Sequence, residues 1–160
     1  MNRSDSVKRI MDNVGDTDIV IASTGYISRE TFKYDRDLNF YMMGSMGNAL
    51  AIGLGIAMNV KNRVVVINGD GSVLMSLGTM VTAKKMNLPN LVHYILDNNC
   101  HESTGGQPTS SHFLDFRHLC KNVIVYKCYK DATVPPRITL KPWEITKRFK
   151  DAILRQQKQS

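Results

Sequence analysis

Two polar residues that follow apolar runs carry the strongest chemical signal in this chain. Asp70, in a Gly-Asp-Gly-Ser turn, follows the run Arg63–Asn68, and Asn98 follows the run Leu91–Leu96; 26 residues (72–97) separate the turn's second glycine from Asn98. If a helix connects two neighbouring parallel strands, both side chains emerge at one edge of the sheet, close enough to share an ion. A carboxylate and an amide oxygen suit Mg²⁺ or Ca²⁺ better than Zn²⁺.

The residues beside Asp70 favour an anionic ligand. Gly71 lets the backbone approach a phosphate closely, and Ser72 is predicted to open the next helix, where free N–H groups and the helix dipole attract an anion. The pattern therefore predicts Mg²⁺ together with a diphosphate. A Gly-Asp-Gly turn by itself is explained as often by the end of a strand as by a ligand, so the whole spaced set of residues carries the argument.

The elements that must position these residues alternate between strand and helix patterns. The fold class expected is α/β, with three α/β/α layers around a mainly parallel sheet, because the strand patterns are apolar on both faces. We predict a first helix over Ser6–Val14 with Ser4 or Asp5 as its N-cap. The other predicted helices cover Ser28–Tyr34, Asn48–Val60, Leu74–Met86, Leu114–Lys121 and a segment from Trp143; the predicted strands cover Asp18–Ala22, Asn39–Met42, Arg63–Asn68, Leu91–Leu96 and Asn122–Tyr126, with a possible edge strand near Ile138.

Composition excludes several classes of protein. The 160 residues fit one domain, 1–160, and their 42% hydrophobic content is enough for a core. No apolar run approaches the roughly 20 residues of a membrane helix, and no secretory signal is visible. Three cysteines without a CxxC pair favour a reducing compartment, so we expect a cytoplasmic protein. The net charge of +7 concentrates in the C-terminal helix, which we interpret as a solvated face rather than a nucleic-acid surface.

The spaced pair resembles the signature of thiamine-diphosphate enzymes. Residues 96–107 (LDNNCHESTGGQ) and 40–47 (FYMMGSMG) are similar to segments of the phosphonopyruvate and sulfopyruvate decarboxylases. With Ser23-Thr24-Gly25, the resemblance covers most of the first 110 residues in the right order. It implies the thiamine-diphosphate-binding fold, with thiamine diphosphate and Mg²⁺ as cofactors.

The resemblance also implies roles for individual residues. Mg²⁺ would be bound by the side chains of Asp70 and Asn98 and by the backbone carbonyl of Cys100. Gly44 would accept a hydrogen bond from the pyrimidine amino group through its carbonyl, and Met46 would hold the two cofactor rings in a bent conformation. The remaining cofactor-binding positions would be Thr24, Gly25, Ser45, Gly69, Gly71 and Ser72.

Other polar residues near these motifs leave alternatives open. His101 and Glu102 either act on the substrate or cap a mobile loop. Asp97 is interpreted as orienting Asn98 rather than binding metal, and His93 as structural. Residues 105–107 form either a flexible lid or an ordinary surface turn. The thiol of Cys100 is not expected to act as a nucleophile, because nothing nearby in the sequence lowers its pKa.

The implied enzyme is a 2-oxo-acid decarboxylase, a carboxy-lyase that works only as a hetero-oligomer. Such enzymes need a glutamate from a pyrimidine-binding domain, and 160 residues leave no room for one. We therefore expect a partner subunit to supply it. The sequence favours phosphonopyruvate as the anionic substrate, followed by sulfopyruvate. Alternatives are a subunit of another thiamine-diphosphate enzyme, an oxidoreductase or a synthase, and a non-catalytic phosphate-binding module.

Overall fold

A computed structural model describes residues 1–131 and 133–159. The strands in this part of the chain are β1 (Ile19–Ala22), β2 (Asn39–Tyr41), β3 (Val64–Gly69), β4 (Leu91–Asp97), β5 (Cys100–His101), β6 (Gln107–Pro108) and β7 (Val123–Lys127). The helices are α1 (Arg3–Met11), α2 (Tyr26–Phe32), α3 (Ala49–Ala57), α4 (Asp70–Met75), α5 (Leu77–Met86) and α6 (Pro142–Gln159). None of these helices has the length and apolar character needed to cross a membrane.

Five strands form one parallel sheet in the order β2-β1-β3-β4-β7. Residues of β1, β3 and β4 alternate between two buried clusters, one beneath α3, α5 and α6 and the other beneath α1. Burial on both faces explains why these strands are continuous apolar runs. The structure therefore confirms the expected three-layer α/β/α class. A separate antiparallel pair, β5 with β6, lies beyond the end of β4.

Several predicted boundaries are wrong. Helix α1 begins earlier than predicted, because the Asn2 side chain accepts the hydrogen bond from the Asp5 backbone N–H and so forms the N-cap in place of Ser4 or Asp5. The predicted helix over Leu74–Met86 is two helices that meet at Ser76, and the first begins at Asp70 rather than at Ser72.

Two predictions in the last third of the chain are also wrong. The segment predicted as a helix over Leu114–Lys121 contains only the 3₁₀ turn Phe116–His118, which the Asp115 side chain caps. Residue Ile138 is not in a strand; it packs beside Ile145 of α6, against the β2 edge of the sheet. Helix α6 covers that edge, so an additional edge strand has no place to pair there.

The basic helix α6 is bound to the domain by ion pairs. The Arg148 guanidinium forms a two-pronged contact with Asp35, with both N–O distances at 2.7 Å. Arg155 lies 2.8 Å from Asp37. Two of the positive charges that distinguish this helix are therefore partnered by the carboxylates just before β2. This pairing agrees with the interpretation of the helix as a solvated face.

Helix α3 packs closely enough on β3 to require a glycine. A Cβ atom at Gly53 would lie 2.3 Å from Cγ2 of the buried Val66. We expect Gly53→Ala to lower the free energy of unfolding by about 1–3 kcal/mol, because the helix must move away from the sheet. Gly55→Ala in the same helix meets no atom within 4 Å and should raise it by up to about 1 kcal/mol. Urea unfolding of both variants checks the pair; equal effects would contradict this packing.

Candidate cofactor and metal site

The register of the sheet brings Asp70 and Asn98 to one edge. Gly69 at the end of β3 is paired with Leu96 near the end of β4, so Asp70 follows one strand and Asn98 the next at the same level. Both residues line the same cleft. The prediction that these two side chains would share an edge of the sheet is confirmed.

Most of the predicted site residues line this cleft. They are Thr24, Met46, Gly69, Asp70, Gly71, Ser72, Asn98, Cys100, His101 and Glu102. Three predicted positions lie outside its lining. Gly25 is adjacent to the cleft: a Cβ atom added to it would lie 3.0 Å from Oγ of Ser103, which lines the cleft. Gly44 and Ser45 are exposed in the loop that leads to Met46.

Asp70 is a buried carboxylate with room for a cation. Its side chain is buried, and Thr109 donates a short hydrogen bond to its Oδ2. Burial raises the pKa of Asp70; the Thr109 hydrogen bond opposes this rise, and the negative charge of Asp97 adds to it. A divalent cation beside the carboxylate would offset this unfavourable burial of charge. The environment of Asp70 therefore fits a metal ligand.

The Asn98 side chain is oriented by its own loop. Its Oδ1 accepts a hydrogen bond from the Cys100 backbone N–H at 3.1 Å, and its Nδ2 donates to Glu102 Oε2 at 3.3 Å. An amide oxygen has two lone pairs, so Oδ1 retains one for a cation. The described residues contain no cluster of three or more His, Cys, Asp or Glu that could hold a metal. A site here would therefore depend on amide and carbonyl oxygens beside the single carboxylate, which is the set predicted from the sequence.

Asp97 does not orient Asn98, contrary to the prediction. Its Oδ1 accepts hydrogen bonds from Ser111 Oγ at 2.8 Å and from both nitrogens of Asn99, and its Oδ2 pairs with Lys127. The Ser111 hydroxyl in turn lies 3.1 Å from Thr109, which contacts Asp70. Asp97 therefore holds the segment from Asn99 to Ser111 in place and supports Asp70 indirectly.

The Ser72 hydroxyl forms its hydrogen bonds with other groups of the protein. This group donates to Asn68 Oδ1, lies 3.0 Å from Ser23 Oγ and accepts the Gly47 backbone N–H at 3.1 Å. These bonds use the hydrogen-bonding capacity of the hydroxyl. A ligand would therefore meet the backbone of Ser72 rather than its side chain. The same hydroxyl fixes the loop that carries Met46.

The interior histidine below this network is structural, as predicted. The Asn68 amide donates to His93 Nε2 at 2.9 Å. Burial lowers the pKa of His93 to about 3, so the ring is neutral at physiological pH and acts as an acceptor. This series of hydrogen bonds, from His93 through Asn68 to Ser72, connects the core of the sheet to the turn after β3.

The Met46 loop is held in a strained but well-anchored conformation. Ser45 and Gly47 both have positive φ angles, 53° and 96°. A Cβ at Gly47 would lie 2.7 Å from Ser76 Oγ, at the break between α4 and α5. This close contact lies where the one predicted helix is divided into two. The loop thereby presents a half-buried Met46 to the cleft.

His101 lies over the Gly-Asp-Gly turn. A Cβ on Gly71 would be 2.4 Å from Cε1 and 2.6 Å from Nδ1 of the His101 ring. His101 belongs to β5, which pairs with β6, and the residues between the two strands form a hairpin turn with positive φ at Gly105 and Gly106. Gln107 begins β6, so residues 105–107 lie where the turn meets the second strand, a geometry that a lid and a surface turn share.

Two residues that contact predicted site residues were missed from the sequence. Arg3, buried at the start of α1, lines the cleft and lies 2.5 Å from Glu102. Thr109 contacts Asp70 from the far end of the loop. No local pattern marks Arg3, whereas Thr109 follows directly on the loop that resembles the decarboxylases. The Cys100 thiol is buried, which raises its pKa and argues against a nucleophilic role.

The chain matches one protein-family model. Residues 14–136 match the thiamine pyrophosphate enzyme, C-terminal TPP binding domain, where thiamine pyrophosphate is another name for thiamine diphosphate. This match covers all strands of the sheet and every residue that lines the cleft except Arg3. A diphosphate site at the edge that carries Asp70 and Asn98 agrees with such a domain.

Curated relatives support the same family. The chain is 40% identical over 152 residues to sulfopyruvate decarboxylase subunit beta of Methanocaldococcus jannaschii, covering 94% of this chain and 77% of that protein. It is 45% identical over 111 residues to phosphonopyruvate decarboxylase of Streptomyces hygroscopicus, covering 69% of this chain and 28% of that protein. The sulfopyruvate decarboxylase of Methanosarcina acetivorans is 30% identical, covering 96% of this chain and 47% of that protein.

Solved structures share the fold. A putative thiamin diphosphate-dependent enzyme from Mycobacterium smegmatis superposes with a TM-score of 0.58 at 23% identity, covering 74% of this chain and 24% of that one. The thiamine diphosphate-dependent 4-hydroxybenzoylformate decarboxylase of Rhodococcus jostii superposes with a TM-score of 0.57 at 19% identity, covering 96% of this chain and 30% of that one. The family model and the curated relatives show that the chain belongs to the thiamine pyrophosphate enzyme family, with relatives among the sulfopyruvate and phosphonopyruvate decarboxylases.

Proposed function

We propose that this chain is the diphosphate-binding subunit of a thiamine-diphosphate-dependent 2-oxo-acid decarboxylase. The observation that carries the proposal is the shared cleft of Asp70 and Asn98 at the ends of adjacent parallel strands. The side chains of these residues and the carbonyl of Cys100 would hold Mg²⁺, and the backbone of Gly71 and Ser72 would contact the diphosphate. When bound, the cofactor supplies the electron sink for loss of CO₂ from a 2-oxo acid.

The protein residues would divide the remaining work. Met46 would pack against the cofactor rings from the anchored loop, and the exposed Gly44 would offer its carbonyl to the pyrimidine. His101, whose ring lies on Gly71 at the cleft, is the side chain that we propose to move a proton at the substrate. Glu102 does not have this freedom, because its carboxylate accepts three N–H donors.

An exposed apolar rim beside the cleft supports the expectation of a partner subunit. Met43 and Met75 are 51% and 61% exposed. Met43 adjoins Gly44, and Met75 lies against Gly47 in the loop that carries Met46. Large apolar side chains around a functional site mark a surface that is covered in an assembly. We propose that a pyrimidine-binding subunit covers it and supplies the catalytic glutamate in a cytoplasmic hetero-oligomer.

The extent of the matches favours sulfopyruvate as the substrate to test first. Sulfopyruvate decarboxylase beta subunits match this chain over 94% and 96% of its length, and the chain spans 77% and 98% of those proteins. The phosphonopyruvate decarboxylases match over 69% and are much longer. Phosphonopyruvate, favoured by the loop sequence, is then the second candidate. Both substrates are anionic, in agreement with the net charge of +7.

The proposed function is tested by reconstitution. The chain alone, and the chain mixed with a pyrimidine-binding partner, are incubated with Mg²⁺, thiamine diphosphate and either sulfopyruvate, phosphonopyruvate or pyruvate. We expect CO₂ and the corresponding aldehyde only from the mixture, with the sulfonated substrate preferred. Turnover by the purified chain alone would contradict the split site. Absence of turnover of every 2-oxo acid by a mixture that binds the cofactor would contradict decarboxylation.

A further inference from the structure

Arg3, in helix α1, contacts Glu102 in the loop that carries Asn98. The Arg3 side chain is only 4% exposed, and its Nη1 donates to Glu102 Oε2 at 2.5 Å although 99 residues separate the two in the chain. Its Nη2 donates to the carbonyl of Thr133 at 2.7 Å. The guanidinium also lies 4.8 Å above the ring of Tyr26. These contacts come from separate parts of the fold and fix the arginine in one orientation.

Arg3 is shared among several carboxylates. Besides Glu102, it lies 3.4 Å from Glu30 and 3.8 Å from Asp131. Lys33 neutralises Glu30 from the solvent side at 2.5 Å. With these contacts, the Arg3 guanidinium has little hydrogen-bonding capacity left for a substrate anion. Its contacts indicate a structural task, namely to hold Glu102.

Glu102 in turn fixes the orientation of the Asn98 side chain. One of its oxygens, Oε2, accepts hydrogen bonds from both Arg3 and Asn98 Nδ2, and the other accepts the Asp131 backbone N–H at 2.6 Å. A carboxylate can bind only the nitrogen end of an amide. The Asn98 oxygen is therefore directed away from Glu102, and the amide cannot turn over without losing this hydrogen bond.

We propose that Arg3, acting through Glu102, is a positioning residue that presents the Asn98 amide oxygen to the metal. The inference rests on the proposed function of Asn98 as a Mg²⁺ ligand and extends it to residues that do not contact the ion. Groups that orient metal ligands from outside the coordination shell typically change metal affinity by about 10- to 100-fold when they are replaced. Glu102 accordingly belongs to the metal site and not to the acid–base chemistry.

The first measurement is a Mg²⁺ titration of thiamine diphosphate binding by the full chain with its partner subunit. Glu102→Gln places an amide opposite Asn98, and Arg3→Lys keeps the charge but cannot contact both Glu102 and Thr133 as the two guanidinium nitrogens do. We expect both to raise the Mg²⁺ concentration for half-saturation by about tenfold or more. Arg9→Met removes an exposed arginine from the same helix and should bind as the unchanged protein does. Circular dichroism verifies that each variant is folded.

The second measurement needs neither metal nor cofactor. In the ¹⁵N NMR spectrum of the full chain, the Asn98 side-chain NH₂ resonances, assigned by their loss in Asn98→Asp, report the hydrogen bond to Glu102. They should shift in Glu102→Gln and Arg3→Lys and stay in place in Arg9→Met. A purely structural role of Arg3 would leave them unmoved.

The outcomes separate this inference from the proposed function. If the unchanged protein binds thiamine diphosphate only with Mg²⁺, while Glu102→Gln and Arg3→Lys bind equally well, the positioning role is overturned and the metal site stands. If the unchanged protein shows no Mg²⁺ dependence, the proposed metal site is wrong. Unmoved Asn98 resonances in both variants overturn the positioning role whatever the titration shows.

Discussion

Asp70→Asn is expected to weaken Mg²⁺-dependent binding of thiamine diphosphate by about 100-fold or more, with the domain still folded. Asp70 is the one carboxylate among the proposed metal ligands, so its replacement removes the charge that attracts the ion. The Asn oxygen can still accept the Thr109 hydroxyl, which now contacts Asp70. The defect should therefore be one of ligand binding rather than of folding.

The same substitution is expected to stabilise the metal-free chain at neutral pH. Burial raises the pKa of Asp70, so its ionised form disfavours the folded state above that raised pKa. This cost disappears as the pH falls below the usual carboxyl range, where the group is neutral in both states. The gain from Asn should thus be present at pH 7 and vanish in acid. A gain of 1 kcal/mol corresponds to about 2–4 °C in melting temperature for a chain of this size.

Calorimetric titration and thermal melts at two pH values measure both effects. Asp115→Asn is the matched control, because Asp115 is a half-buried carboxylate paired with Arg117 outside the cleft. It should leave cofactor binding unchanged. Unaltered Mg²⁺-dependent binding by Asp70→Asn would contradict its role as a ligand.

Gly71→Ala should reduce cofactor affinity by about 10- to 100-fold while hardly changing stability. The new Cβ would lie 2.4 Å from the His101 ring and 3.2 Å from Thr109 Cγ2. The imidazole is the end of a side chain that can rotate away, so folding tolerates the change. The rotation displaces His101, and the methyl group occupies the surface that we propose for the diphosphate.

Gly78→Ala is the control for this substitution. An added Cβ at Gly78 meets no atom within 4 Å, and the residue lies in the first turn of α5. This variant should bind the cofactor normally and be slightly more stable. Equal cofactor affinity in Gly71→Ala and Gly78→Ala, measured by titration, would show that the turn is not approached closely by a ligand.

The sheet and its functional edge could be predicted because their signals are local. Strands β3 and β4 are continuous apolar runs with polar residues at their ends, the pattern expected of strands that are covered on both faces of a sheet. Parallel pairing brings the carboxyl ends of both strands to one edge, where the structure pairs Gly69 with Leu96. Asp70 and Asn98 were therefore placed correctly without knowledge of any other contact.

Features that depend on distant contacts could not be predicted in this way. The break at Ser76 coincides with the close contact of Gly47, and no residue near Ser76 signals it. From the sequence alone, Arg3 is an ordinary solvated charge near the start of a helix. Its position beside Glu102 depends on how α1 packs against the rest of the domain. The role proposed for Met46 came from resemblance alone, since the chain contains nine methionines.

The most direct test of the central claim is the position of the metal itself. Crystals of the chain with its partner subunit, grown with thiamine diphosphate and Mn²⁺ in place of Mg²⁺, would locate the ion by anomalous scattering. We predict one peak within coordination distance of Asp70, the Asn98 amide oxygen and a diphosphate oxygen. A bound diphosphate whose metal contacts neither Asp70 nor Asn98 would contradict the account.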